Sequence, residues 1–150
     1  MTTKVKPIPD GYRSVTPYMS AVNAANAIDF YKKAFGATER MRMAGPDGKV
    51  MHAEIEIGDS LIMLGEECSG APSTGGAPVS MYLYVEDVDT VFGQAIDAGA
   101  TERMPLEDRF YGDRVGTLVD PFGHVWSIAT HTEEVSPQEI GKRAAALFGG

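Results

Sequence analysis

Cysteine is almost absent from this chain of 150 residues, where Cys68 stands alone. A single thiol excludes an intrachain disulfide and any zinc cluster built from several cysteines, and it fits a reducing compartment. Long apolar runs are also lacking. No stretch approaches the roughly 20 residues needed to span a bilayer, and the opening Met1-Thr-Thr-Lys-Val-Lys-Pro7 has no apolar segment of the signal-peptide kind. Positive charge is scarce: 13 Lys and Arg against 21 Asp and Glu give a formal net charge of -8. Nucleic acids and anionic membranes reward a basic face, so neither is expected as a partner. The plain expectation is a cytoplasmic protein. Several motifs are missing as well: no His-Glu-x-x-His, no phosphate loop ending in Gly-Lys-Ser/Thr, no Gly-x-Gly-x-x-Gly and no Gly-x-Ser-x-Gly. These absences argue against a nucleotide-binding kinase, a Rossmann enzyme and a serine hydrolase of the usual kind.

What remains is a globular composition, 43% apolar and 23% charged, long enough for one domain or for two small modules sharing a core. An internal echo favours the modules. Gly36-Ala-Thr-Glu-Arg-Met41 recurs unchanged as Gly99-Ala-Thr-Glu-Arg-Met104, 63 residues later. Each copy follows an amphipathic helix pattern, with Ala24, Ala27, Ile28, Tyr31 and Phe35 on one stripe and Val88, Val91, Phe92 and Ala95 on the other. Gly36 and Gly99 are placed to act as left-handed C-caps, and Asp87 to act as an N-cap. The same hexapeptide after the same element points to duplication.

Strands complete each half. Ser14–Met19 reads as a short strand made irregular by Pro17, and Val79–Val85 alternates, with Ser80, Tyr82 and Tyr84 on one face. Gly45-Pro-Asp-Gly48 is a turn that leads into Val50–Ile57, where His52, Glu54 and Glu56 share a face, and then Ser60–Leu64. The second half parallels it with strands near Glu102–Leu106, Gly116–Val119 and His124–Thr130, the last two joined by Asp120-Pro-Phe-Gly123. Each half is β-α-β-β-β. The expected fold is α+β, with paired βαβββ modules whose mixed, curved sheets enclose a cavity and carry their helices outside. Module one is expected over about 12–65, a Gly-, Pro- and Ser-rich linker over 66–78, and module two over 79–131. A helix over 136–148 starts from Ser136-Pro-Gln-Glu139, with Ile140, Ala144, Leu147 and Phe148 as its apolar stripe.

Polar candidates fall on the sheet fronts and their rims. His52, Glu54 and Glu56 form the most metal-like grouping, although two-residue spacing on one strand sets them wide apart. Phe110-Tyr-Gly-Asp-Arg114 reads as a loop in which Asp113 and Arg114 offer a carboxylate and a forked cation to a ligand, with Tyr111 beside them and Arg109 nearby. His124 and His131 flank the last strand. Tyr82 and Tyr84 are candidates to line the cavity. Trp126 reads as packing, and nothing near Cys68 argues for a reactive thiolate.

The segments Ala27-Ile-Asp-Phe-Tyr-Lys-Lys-Ala-Phe-Gly-Ala37, Met51-His-Ala-Glu54, Tyr111-Gly-Asp-Arg114, Asp120-Pro-Phe-Gly-His-Val-Trp126 and Ala129-Thr-His131 carry a resemblance. The chain resembles the vicinal oxygen chelate superfamily, also called the glyoxalase, bleomycin-resistance and dioxygenase superfamily, and looks most like its PhnB-like branch. The resemblance implies paired βαβββ modules and commonly a homodimer. Metal-dependent members place His, Gln or Glu ligands on the first and last strands of both modules. Those positions fall here on Thr16, on Met63 (or Ile62 in the neighbouring register), on Ser80 and on Ser127. Hydroxyls and a thioether suit Zn²⁺, Ni²⁺ or Fe²⁺ poorly. The expectation is therefore a binder of a small organic molecule, with no cofactor and with ligand contacts among His52, Glu54, Tyr82, Tyr111, Asp113, Arg114 and His124. Two alternatives stay open: a divergent lyase or isomerase using a divalent metal, and a protein that sequesters an antibiotic. Whether there is turnover is left open.

Overall fold

A computed structural model of the chain describes residues 8–66 and 79–148. Cys68 and residues 67–78 of the expected linker lie outside the described residues. The chain divides into two compact units, Met1–Ser73 and Thr74–Gly150.

The first unit runs β1 (Tyr18–Ala21), α1 (Ala24–Phe35), β2 (Thr38–Ala44), β3 (Val50–Ile57) and β4 (Ser60–Glu66). Its sheet has the order β1-β4-β3-β2, with β1 parallel to β4 and the other pairs antiparallel. The second unit repeats the plan with β5 (Met81–Tyr84), α2 (Val88–Asp97), β6 (Thr101–Asp108), β7 (Asp113–Val119) and β8 (Val125–His131), ordered β5-β8-β7-β6. It ends in α3 (Pro137–Phe148). Two similar modules, each a curved mixed sheet with a helix against one face, are thus present as the sequence leads one to expect.

Helix α1 forms where the apolar spacing puts it. The side chain of its N-cap Asn23 accepts from the Asn26 N–H, and Ala24, Ala27, Ile28, Phe30, Tyr31 and Ala34 are buried. Burying side chains the size of Ile28 and Tyr31 stabilises by about 1.5–3 kcal/mol each. Gly36 closes the helix at φ 69°, a conformation glycine adopts without a Cβ penalty. Gly99 does not play the same part. The residue capping α2 is Ala98, in the right-handed region, and Gly99 takes its positive φ one residue later. Asp87 caps α2 through the Thr90 N–H, and Val88, Phe92 and Ala95 are buried.

The repeat extends into the hydrogen-bond register. Thr38, Glu39 and Met41 pair with Glu56, Ile55 and Glu54, while Thr101, Glu102 and Met104 pair with Val119, Leu118 and Thr117. Arg40 and Arg103 are therefore the extra residues of matching β-bulges. On the far side of each sheet the spacing is one residue longer. Tyr18–Met63–Glu54–Met41 forms one cross-strand row, and Tyr82–Ser127–Thr117–Met104 forms its counterpart. Glu66 and Thr130 also correspond. Glu66 accepts the N–H groups of Asn23 and Ala24, and the Thr130 hydroxyl accepts that of Val88, so the last strand of each module caps the module's own helix.

Several boundaries differ from expectation: β4 runs on to Glu66, and β5 covers only Met81–Tyr84 of the expected Val79–Val85. Strand β1 starts after Pro17, which has no N–H but accepts the Met63 N–H through its carbonyl. Strand β8 runs one residue past Thr130, to His131. Strand β6 extends to Asp108, and β7 starts at Asp113, so the expected loop over 110–114 ends two residues early. The terminal helix begins at Pro137, and Ser136 Oγ accepts the Glu139 N–H. Arg143 fastens it to the Phe110 carbonyl at 3.0 Å and to Glu133 at 2.9 Å. Of its apolar stripe, Ile140 and Ala144 are half-buried and Leu147 is exposed, while the Phe148 side chain lies outside the described residues.

Candidate functional site in the second module

Strand alternation places Asp113, Val115 and Thr117 of β7 on the face away from α2, alongside Ser127, Ala129 and His131 of β8 and Tyr82 and Tyr84 of β5. Leu118, Trp126 and Ile128 fill the opposite, helix-side face. On the open face Asp113 is only 4% exposed. Its Oδ2 accepts the hydroxyls of Tyr82 at 2.7 Å and Tyr84 at 2.9 Å, and its Oδ1 meets His131 Nδ1 at 2.8 Å. Burial alone would raise the Asp113 carboxyl, but the bonds from His131, Tyr82 and Tyr84 outweigh it and hold it below the usual carboxylate range. Asp113 is therefore an ionised acceptor.

The charge acts back on its partners. Burial first, and then the bond to Asp113, holds the Tyr82 phenol far above its ordinary value. The Asp113 bond, aided by burial, raises Tyr84. The two rings lie 5.1 Å apart, tilted. His131 is raised first by Asp113, against partial desolvation. Its Nε2 lies 3.3 Å from Glu134 Oε1, so both ring nitrogens face carboxylates and the imidazolium is the favoured form.

Beside this network lies a cavity of about 270 Å³, lined by Tyr82, Met104, Val115, Thr117 and Ser127 from the sheet and by Arg109, Phe110 and Tyr111 from the β6–β7 turn. Thr117 Oγ1 and Ser127 Oγ share a hydrogen bond at 3.0 Å on its floor. Phe110 and Tyr111 meet edge to face at 5.2 Å. Arg109 supplies the cation and is paired with Glu107 at 3.2 Å. The turn is held by Gly112, whose carbonyl accepts the N–H groups of Thr132 and Glu133. A second, more open hollow borders Tyr84, Val85, Glu86, Thr130 and His131. Asp113 thus sits beneath side chains belonging to both hollows.

The sequence candidates separate on this map. Tyr82, Tyr111 and Asp113 come together, joined by His131. Arg114 leaves β7 on the helix side and binds Asp89 of α2 at 2.9 Å, with Asp108 at 3.4 Å, so Asp113 and Arg114 do not form the ligand-facing pair expected of a loop. His124 lies at the turn before β8, with Nδ1 3.4 Å from Asp120 Oδ2. Asp120, 3% exposed, organises that turn by accepting the N–H groups of Phe122 and His124 and the indole N–H of Trp126.

In the first module His52 Nε2 and Glu54 Oε2 are 3.1 Å apart, and the Tyr18 ring lies 5.9 Å from that of His52. Tyr12, ahead of His52, holds Glu54 below the usual carboxylate range. The Tyr12 hydroxyl is buried against this carboxylate without a well-directed hydrogen bond, and burial followed by Glu54 pushes it up to about 12. Glu56 pairs outward with Arg40 at 3.4 Å. Sequence reasoning missed the convergence of Tyr82, Tyr84, Asp113 and His131. The available signal was parity: once β7 begins at Asp113, its carboxylate must share a face with Val115 and Thr117.

The metal positions suggested by resemblance can be tested on their donors. Thr16 lies before β1 and its hydroxyl donates to the Arg13 carbonyl at 3.4 Å. Met63 rather than Ile62 shares the face of Glu54, because Ile62 is buried on the helix side. Ser80 precedes β5, and Ser127 is engaged with Thr117. A thioether and three neutral hydroxyls do not suit a borderline divalent ion. Among the described residues no group of three or more His, Cys, Asp or Glu side chains gathers to hold one.

Comparison with known proteins agrees with this architecture. A model of the Glyoxalase/Bleomycin resistance protein/Dioxygenase superfamily matches residues 19–128. An uncharacterized protein of Mycobacterium bovis is 44% identical over 135 residues, covering 85% of this chain and 89% of the relative. Among solved structures, TioX from Micromonospora sp. ML1 is similar with a TM-score of 0.62 and 24% identity, covering 83% of this chain and 100% of that one. A PhnB protein from Bacillus cereus is similar with a TM-score of 0.65 and 21% identity, covering 79% and 99%.

Proposed function

This chain belongs to the glyoxalase/bleomycin resistance protein/dioxygenase superfamily, and from that membership we propose that it binds a small organic molecule on the open face of its second module, without the metal quartet of the superfamily's metal-dependent members. The observation that carries this reading is the cavity beside Tyr82, Thr117 and Ser127, backed by the buried Asp113 carboxylate. Ordinary loop packing does not call for an ionised acid with three side-chain donors. Burying one is costly unless it is fully bonded, and such a network is a means of fixing polar groups that face a ligand. His52 and Glu54 form a separate polar candidate on the first module.

We further propose that the chain is of the PhnB-like branch, from the segments 27–37, 51–54, 111–114, 120–126 and 129–131, and that it is a cytoplasmic homodimer. Exposed apolar side chains such as Tyr18, Met41, Met43 and Met51 support association. A small-molecule library screened by amide NMR is the direct test. Hits should shift Tyr82, Thr117 and Ser127 together. A stoichiometric, tightly held divalent ion found by elemental analysis of metal-replete protein, or hits that never touch these residues, would overturn it. Light scattering reports the oligomeric state.

A further inference from the structure

The hydrogen-bond polarity of the cavity is set by Asp113. A carboxylate oxygen carries no proton, so when Tyr82 and Tyr84 both lie within 2.9 Å of Asp113 Oδ2, each phenol must be the donor. A phenol has one proton. Once that proton is directed at Asp113, the Tyr82 oxygen has only lone pairs left to offer, to the neighbouring Tyr111 hydroxyl or to a molecule in the cavity it lines. Arg109, on another part of the lining, presents only donors. The lining between them combines Met104, Phe110, Tyr111 and Val115 with the hydroxyls of Thr117 and Ser127, which are bonded to each other. At about 270 Å³ the space falls just below the range of about 300–1,000 Å³ typical for drug-sized ligands.

Building on the small-molecule reading above, we propose that Asp113 is a positioning residue that makes Tyr82 an obligate hydrogen-bond acceptor, so that the cavity selects compact, planar molecules bearing a hydroxyl or N–H donor at one end and an acidic group at the other. The acidic end belongs near Arg109 and the donor end at Tyr82. The phenol's reluctance to ionise fits the same arrangement, since the proton stays on Tyr82 and the carboxylate stays charged.

Three probes test this in the full chain: 4-hydroxyphenylacetate, 4-methoxyphenylacetate and phenylacetate, titrated by amide NMR so that affinity and location are read together. The hydroxyl compound should bind about five- to tenfold more tightly than either of the others, the size of one well-made hydrogen bond. Tyr82→Phe removes the acceptor, together with one of the donors to Asp113, and should bring that ratio close to one. Asp113→Asn should do the same with Tyr82 intact, because the Asn amide can donate to a phenol oxygen and free its proton to face the cavity. A ratio near one in the natural protein, or a ratio that survives Tyr82→Phe, would overturn the assignment of polarity while leaving the cavity as a binding site. If none of the probes shifts Tyr82, Thr117 or Ser127, the cavity reading falls, and this inference with it.

Discussion

Asp113 and Arg114 are neighbours in sequence yet leave β7 on opposite faces, the carboxylate toward Tyr82, Tyr84 and His131 and the guanidinium toward Asp89 of α2. Strand alternation turns an apparent acid–base pair into two unrelated devices. Their energetics should separate as well. Asp113→Ala would leave two phenols and a histidine without their shared acceptor, and a loss of about 3 kcal/mol is expected from stranding donors that bond a buried charge. Arg114→Ala breaks an exposed pair, which salt and water already weaken, and should lower stability far less. Urea unfolding of both variants compares them directly. Equal losses would contradict the buried network.

The histidine gives that network a pH signature. His131 is raised above its ordinary value by Asp113, with Glu134 at its other nitrogen. A raised pKa in the folded state means that the protein binds this proton more tightly folded than unfolded. The contribution is complete below the ordinary histidine value and is lost as pH rises through the folded one. Asp113 works in the opposite sense. Held below the usual range, it contributes above the ordinary carboxylate value and is lost as pH falls through its lowered one. The groups facing the imidazole are Asp113 from β7 and Glu134 after β8, with Tyr82 and Tyr84 of β5 sharing the same carboxylate. Stability measured at pH about 6 should therefore exceed that at about 9 by a margin that disappears in His131→Gln, these values lying either side of the histidine range. An unchanged margin in that variant would exclude His131 as its source.

Metal removal should be without effect. The four positions matched to the superfamily's ligands carry Thr16, Met63, Ser80 and Ser127, two of them already hydrogen-bonded within the protein. Prolonged dialysis against a chelator is expected to leave the thermal midpoint and probe binding unchanged, and added Zn²⁺ or Ni²⁺ should not raise the midpoint by mass action. A clear rise at micromolar ion would mean that other donors do the work, with His52 and Glu54 first among them.

Much of this architecture could be read from residue order because the duplication constrains it twice. The hexapeptide beginning at Gly36 and at Gly99 fixed the equivalence of β2 and β6, and the shared bulges at Arg40 and Arg103 follow from it. Apolar spacing located α1 and α2 for the ordinary reason that buried faces repeat every 3.6 residues. The site was harder to see. A five-residue run with a central glycine, Phe110–Arg114, reads equally well as a loop or as a tight turn entering a strand, and alternation settles where Asp113 points only once β7 reaches back to include it. Glu66 gave no local sign of capping a helix more than 40 positions earlier, since that bond exists only after β1 and β4 pair.

Gly112 offers the sharpest test of how the cavity wall is built. It lies at φ 99°, and a Cβ there would collide with the Glu133 carbonyl, a backbone atom that cannot swing aside. Its own carbonyl ties Thr132 and Glu133 to the turn, while its N–H bonds to Arg109. The residues immediately before it, Arg109, Phe110 and Tyr111, supply one side of the cavity. Gly112→Ala must therefore combine an unfavourable backbone conformation, worth about 1 kcal/mol or more, with displacement of the 132–133 segment. The expected result is a drop in the unfolding midpoint together with loss of probe binding. Gly93→Ala in α2 supplies the control, since nothing lies within 4 Å of a Cβ placed there and helix propensity favours alanine; it should be neutral or stabilising with binding intact. If Gly112→Ala kept both its stability and its affinity for the probes, the turn would not be the rigid wall that the Glu133 contact requires.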